Sequence, residues 1–116
     1  MIMSLVESFT TELRRGTLTL AVLSQLRVPQ YGYSLVQRLE KAGVTIEQST
    51  LYPLLRRLEK QKLLTSSWDT SESRPRKYYV MNEYGIELYE QLKTEWKTMT
   101  VELTTLLEGD EHHESD

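Results

Sequence analysis

The stretch from residue 50 to residue 82 constrains the fold of this chain more than any other. In it Leu51, Leu54, Leu55 and Leu58 recur at i, i+3, i+4 and i+7, the spacing that lines one face of an α-helix with apolar side chains. The opposite face gathers Ser49, Pro53, Arg56 and Lys60, flanked by Tyr52 and Arg57. Pro53 has no amide proton and is tolerated only near a helix start, so the helix is expected to begin between Gln48 and Thr50, with Ser49 or Thr50 as its cap. Next, Leu64, Ser66 and Trp68 alternate with Thr65, Ser67 and Asp69. Tyr78 and Val80 then alternate with Lys77, Tyr79 and Met81, so both runs have the period of half-exposed strands. The connection over 70–75 lacks glycine and is too long for a two-residue turn, so it is expected to project as a loop.

Charge gives this helix and hairpin a direction. Arg74, Arg76 and Lys77 stand at the exit of the projecting loop, beside a helix face carrying hydroxyls, an aromatic ring and guanidinium groups. The N-terminus of a helix adds free N–H groups and a partial positive charge, both of which favour anions. Taken singly, the helix is an ordinary amphipathic helix and the cations merely solubilise an edge strand. Taken together, they can hold phosphates on both sides of a groove. The formal net charge of −3 opposes that reading only superficially, because Asp110, Glu111, Glu114 and Asp116 crowd the last eight residues. Without those four, 13 acidic groups face 14 basic ones, and residues 49–78 hold seven basic side chains against three acidic. Local charge steers an approach to nucleic acid, so the chain is expected to bind double-stranded DNA.

Upstream, Ser4 and Glu7 have the spacing of a capping box, and Leu5, Val6, Phe9 and Leu13 form one apolar face, which predicts an N-terminal helix over 4–15 ended by Gly16. A second helix over 17–27 is apolar almost all round and should sit at the centre of the domain, stopped by Pro29. A third, over about 32–42, turns Leu35, Val36 and Leu39 inward and stops at Gly43. Joined to the next helix by a short link, it makes a helix-turn-helix.

Beyond the hairpin, Tyr89, Leu92, Trp96, Met99, Leu103 and Leu106 are spaced 3, 4, 3, 4 and 3, a heptad seam on a helix expected to run from residue 82 or 83 to about 107 and to end at Gly109. Such a seam needs a partner. The expectation is a homodimer in which this helix packs on its symmetry mate and on the other chain's N-terminal helix through Leu5 and Phe9. Packing on the chain's own first helix is the competing account. Trp96 is open to two readings: a packing knob of the dimer, or one of two facing indoles that sandwich a planar aromatic ligand.

The chain has no cysteine, hence no disulfide framework and no thiolate chemistry. No apolar run approaches the length of a membrane span, and the N-terminus lacks a signal-peptide core, so no membrane partner is expected and the cytoplasm is the default location. His112 and His113 lie in an acidic tail rather than in a convergent set of titratable groups. No enzyme activity, metal or cofactor is therefore expected.

The segments YGYSLVQRLE, TLYPLLRRLEKQKLL, a tryptophan in the next strand and RPRKYYVMNEYG, in that order, resemble the PadR-like transcriptional regulators over residues 16 to about 92. The chain departs from the usual pattern where Ser71, Glu72 and Ser73 replace wing glycines, where Gln61 and Lys62 replace an acidic residue and glycine, and where Asn82 replaces threonine. The resemblance implies a mainly α fold with a small β-hairpin: a winged helix-turn-helix with an N-terminal helix and a long C-terminal dimerisation helix, as in the small subgroup of the family. The DNA-binding domain is then expected over 1–82, the dimerisation helix over 83–108 and a disordered acidic tail over 109–116. The resemblance also implies a repressor that binds a pseudo-palindromic operator as a homodimer, with an aromatic drug or phenolic compound as the class of effector. By the same likeness Gln48, Ser49, Thr50, Tyr52, Arg56 and Lys60 face the groove, while Arg74, Arg76 and Lys77 contact the backbone or minor groove. Tyr31 and Tyr33 are either phosphate contacts or core packing. The rival reading is a winged-helix protein-interaction module that does not bind DNA.

Overall fold

The computed structural model describes residues 1–113, in the order α1 (Ile2–Ser24), α2 (Gly32–Lys41), α3 (Gln48–Lys60), β1 (Leu64–Asp69), β2 (Arg76–Met81) and α4 (Glu83–His113). The two helices expected over 4–15 and 17–27 are one. A glycine inside a helix costs about 1 kcal/mol relative to alanine. That is less than the gain from keeping the hydrogen-bond ladder whole while Val22 and Leu23, on the same helix, are fully buried. The Ser4–Glu7 capping box does not form, because the helix has already started at Ile2 with Met1 in the cap position. Its C-terminus comes earlier than Pro29 requires, with the Gln25 and Leu26 N–H groups donating to Val22 and Leu23.

Helices α2 and α3 end in the same way, and the comparison exposes a strained residue. After α2, the Gly43 N–H donates to the Glu40 carbonyl (2.9 Å) and the Val44 N–H to that of Leu39 (2.9 Å). After α3, the Lys62 N–H donates to Glu59 (2.9 Å) and the Leu63 N–H to Leu58 (3.0 Å). Both pairs are the two bonds of a Schellman stop, which needs a left-handed residue at its centre. Gly43 takes φ +86° freely, whereas Lys62 is forced to φ +65°. The left-handed conformation costs a residue with a Cβ about 1–2 kcal/mol. Lys62→Gly is therefore expected to stabilise the domain by about 1 kcal/mol, after allowing for the greater freedom of glycine in the unfolded chain. A thermal melt no higher than that of the wild type would contradict this.

Helix α3 begins at Gln48, inside the expected range, but its cap differs. Glu47, not Ser49 or Thr50, occupies the cap position, and no side chain caps the helix. Pro53 therefore falls in the second turn and leaves one carbonyl without its helical donor.

The hairpin is antiparallel, with Leu64 opposite Met81, Ser66 opposite Tyr79 and Trp68 opposite Lys77. Its β2 edge is held to the helical core by backbone bonds: Gln30 and Tyr79 exchange N–H donations of 3.0 and 2.8 Å, and the Met81 N–H donates to Leu26 (2.8 Å). The core lies between α1, α2, α3 and the root of the hairpin, with Leu23, Leu26, Leu35, Leu51 and Leu55 wholly buried. Asn82 begins α4 as a true cap, accepting the Gly85 N–H at its Oδ1 (2.8 Å) while its own Nδ2 donates to the Lys62 carbonyl (2.9 Å).

Helix α4 continues through Gly109 to His113 rather than ending near Leu107. The first part of the tail expected to be disordered over 109–116 is thus helical, and 114–116 lie outside the described residues. The heptad seam divides in two. Tyr89 is buried in its own domain and Leu92 packs on the same core, so neither is an open dimer-seam position. Trp96 is 44% exposed, and Met99, Leu103 and Leu106 are more exposed still. At the other end Leu5, Val6, Phe9 and Leu13 of α1 are likewise uncovered. Two helical arms thus reach beyond the core with apolar faces open, which gives the described residues a long axis of 67 Å.

Candidate nucleic-acid interface

The leucines of α3 bind it to the core and thereby dictate what its other side offers. With Leu51, Leu54, Leu55 and Leu58 buried, Gln48, Ser49, Thr50, Pro53, Arg56, Arg57 and Lys60 are all exposed. Tyr52 is the exception among the residues expected on the outer face. Its ring is half-buried and lies so close to Gly32, at the start of α2, that a Cβ there would sit 2.6 Å from Cζ. This contact fixes the crossing of α2 and α3. Tyr31 is half-buried just before α2, and Tyr33 is exposed on it.

The wing approaches the same end of the domain. The Arg76 guanidinium stacks 4.6 Å from the centre of the Tyr31 ring, and Tyr78 meets Tyr31 edge-on at 5.3 Å. These contacts hold one cation over α2 without neutralising it, since Glu72 is 3.9 Å away and its own side chain is largely in solvent. Arg74 is exposed near the tip. Between wing and α3 lies an open cleft lined by Tyr31, Tyr52, Arg56, Trp68 and Arg76.

Lys77 is placed differently from the other wing cations. Its Nζ lies 3.2 Å from Glu59 Oε1 and 5.2 Å from the Tyr79 ring centre, and the Ser66 hydroxyl donates to the other oxygen of Glu59. The Ser66 bond, opposed by partial burial and reinforced by the bond and charge of Lys77, holds the Glu59 carboxyl below its usual range. Burial works against the charge on Lys77, but the bond to Glu59 and the neighbouring charges outweigh it and raise its pKa. Lys77 thus clamps the wing to α3 and pairs its charge with Glu59.

The transcriptional regulator PadR-like family model matches residues 19–93, which span the helix-turn-helix, the wing and the first third of α4. The chain belongs to this family.

Solved PadR relatives carry the likeness along most of the chain. A PadR family transcriptional regulator from Eggerthella lenta is 48% identical, with a TM-score of 0.87 over 90% of this chain and 94% of that one. A PadR-like regulator from Bacillus cereus is 31% identical, with a TM-score of 0.74 over 84% and 98%. An uncharacterised protein of Lysinibacillus sphaericus is 28% identical over 85% of this chain and 95% of its own length. The family is one of transcriptional regulators and not of enzymes. In this PadR chain no described helix is long and apolar enough to cross a membrane.

For this PadR protein the structure brings Tyr31, Tyr52, Arg56 and Arg76 to one cleft and sets Gln48, Ser49 and Thr50 at the exposed start of α3. Sequence reasoning missed Glu59 as the residue that ties the wing to the helix. Glu59 does stand out as the lone acidic residue of α3, but its partner Lys77 lies 18 positions further on, and no periodicity links the two.

Proposed function

We propose that this chain is a homodimeric DNA-binding repressor that sets α3 into the major groove and its wing against the flanking backbone. The observation that carries the reading is the cleft: Arg56 on the outer face of α3 and Arg76 on the wing both line one open channel. Gln48, Ser49 and Thr50 are the base-reading candidates, because a recognition helix meets base edges through its N-terminal residues. Lys60, Arg74 and Tyr33 are exposed at the margins, where contacts go to phosphates. The open apolar faces of α1 and α4 support a two-fold dimer, and a two-fold dimer calls for a pseudo-palindromic operator with half-sites about one helical turn apart.

Gel-shift measurements across a range of salt, on duplex DNA from immediately upstream of the chain's own coding region, test the reading. Arg56→Ala and Arg76→Ala should each weaken binding and reduce the slope of log K against log salt by about one. Lys77→Ala should change that slope less, because Glu59 already holds its charge. Absence of salt-dependent binding in the wild type would favour the protein-interaction module instead.

A planar aromatic effector is the proposed releasing ligand. Trp96, Leu20, Ala21 and Tyr89 line a shallow groove at the junction of α1 and α4, and the dimer would set two such grooves near each other. Planar dyes should quench tryptophan emission in the wild type and much less in Trp96→Ala. Equal responses in the two proteins would remove the pocket.

A further inference from the structure

Trp68 is the large apolar side chain of the wing that the fold does not use. Cross-strand partners in an antiparallel hairpin share a face, so Leu64 with Met81, Ser66 with Tyr79 and Trp68 with Lys77 form one side of the sheet. That side closes the core at Leu64, Met81 and Tyr79, all buried, and then runs out beyond it. At its outer end the Trp68 indole is 64% exposed. It hangs on the wall of the cleft shared with Arg56, Tyr52, Tyr31 and Arg76.

The shape of the duplex says what fills such a cleft. If α3 occupies a major groove and the wing reaches the next minor groove, the sugar-phosphate ridge separating the two grooves must pass between them. That ridge alternates two chemistries: charged phosphates, which suit Arg56 and Arg76, and apolar deoxyribose faces, which suit an aromatic surface. The indole also has one N–H donor, which can reach a phosphate oxygen from the ring edge.

We infer that Trp68 is a DNA-contact residue, its indole packing on a deoxyribose of the backbone ridge between α3 and the wing. The inference rests on the DNA-binding reading above. It assigns the wing an apolar contact whose strength does not depend on counterion release, beside arginine contacts whose strength does. It also explains why a water-exposed tryptophan stands at the end of a strand whose other outer residues, Thr65, Ser67 and Asp69, are small or polar.

The chain has two tryptophans, so Trp96→Phe leaves Trp68 as the single indole. With upstream duplex DNA added to saturation, emission of the Trp96→Phe protein should shift to the blue and its quenching by acrylamide should fall by about threefold, as the ring leaves water. Trp68→Ala should weaken binding by about tenfold at every salt concentration, leaving the salt slope unchanged, and Trp68→Phe should recover most of the loss. Four outcomes overturn the inference: unchanged acrylamide quenching in the saturated complex, affinity of Trp68→Ala within about twofold of the wild type, a changed slope, which would mean that the indole acts by placing Arg76 or Lys77, or failure of Trp68→Phe to recover binding. If the wild type and Trp96→Phe proteins show no salt-dependent DNA binding at all, the DNA-binding reading itself fails, and this inference with it.

Discussion

Met99→Glu combined with Leu103→Glu is expected to give a folded monomer that holds operator DNA at least about 100-fold more weakly than the wild type. Met99 and Leu103 sit one turn apart on the outer half of α4 and contribute nothing to the core. Covering such a side chain is worth about 1.5–3 kcal/mol, and in a two-fold interface each position counts twice. The substitution reverses this and adds four carboxylates to the same seam, each of which would have to be desolvated without a partner. The core should be unaffected, because its leucines lie on the far side of Tyr89 and Leu92. DNA affinity falls further than any single contact would explain, since a dimer makes its second half-site contact as an intramolecular event and a monomer cannot. Sedimentation velocity and gel shifts on the same preparations check both halves. A variant that stays dimeric at micromolar concentration refutes the seam, and a monomer that binds as tightly as the wild type refutes two half-sites.

The same two arms show which parts of the fold the sequence can reveal. Periodicity locates α2, α3, both strands and the start of α4 within a residue or two, because each buries one face and the residues that do so recur at the period of the element. It fails where a local signal competes with a continuous helix. The local preference of Gly16 and Gly109 predicts stops, yet each is passed without a break, since a glycine stops a helix only if the chain turns there. The true stop after α3 is at Lys62, a residue with no turn preference to advertise it. Tyr89 and Leu92 fit the heptad arithmetic and belong to the core, because spacing gives the face of a helix but not the element that covers it. In the candidate site, exposure of Gln48, Ser49, Thr50, Arg56 and Lys60 follows from the leucine stripe. The pairing of Lys77 with Glu59 and the stacking of Arg76 on Tyr31 do not, being contacts between segments far apart in the chain.

Gly85→Ala is expected to destabilise the protein by about 3 kcal/mol or more, which for a domain of this size lowers the melting temperature by about 10 °C or more. Gly85 lies in the first turn of α4 and is buried against the backbone between α3 and β1. A Cβ there would run into the carbonyl oxygen of Leu63 and stand 3.1 Å from its carbon and 3.4 Å from Met81 Cβ. Neither side can give way cheaply. The Leu63 N–H closes the end of α3 on Leu58 (3.0 Å), and the Leu63 carbonyl accepts the Asn82 N–H (3.2 Å). Asn82 in turn is bonded to Lys62 and caps α4 through the Gly85 N–H itself. The added methyl therefore forces apart the end of α3, the root of the wing and the start of α4 together. Gly16→Ala is the matched control: a Cβ at that position meets nothing within 4 Å, and in the middle of α1 it should stabilise by up to about 1 kcal/mol. The same chemical change thus has opposite signs at two helical glycines, and melts that coincide would refute the account. Because α4 would carry the proposed dimer arm and α3 the proposed groove-facing residues, the Gly85 contact would also set the angle between them. In Gly85→Ala molecules that remain folded, DNA affinity should fall further than that of Lys62→Gly, whose gain in stability leaves this junction in place.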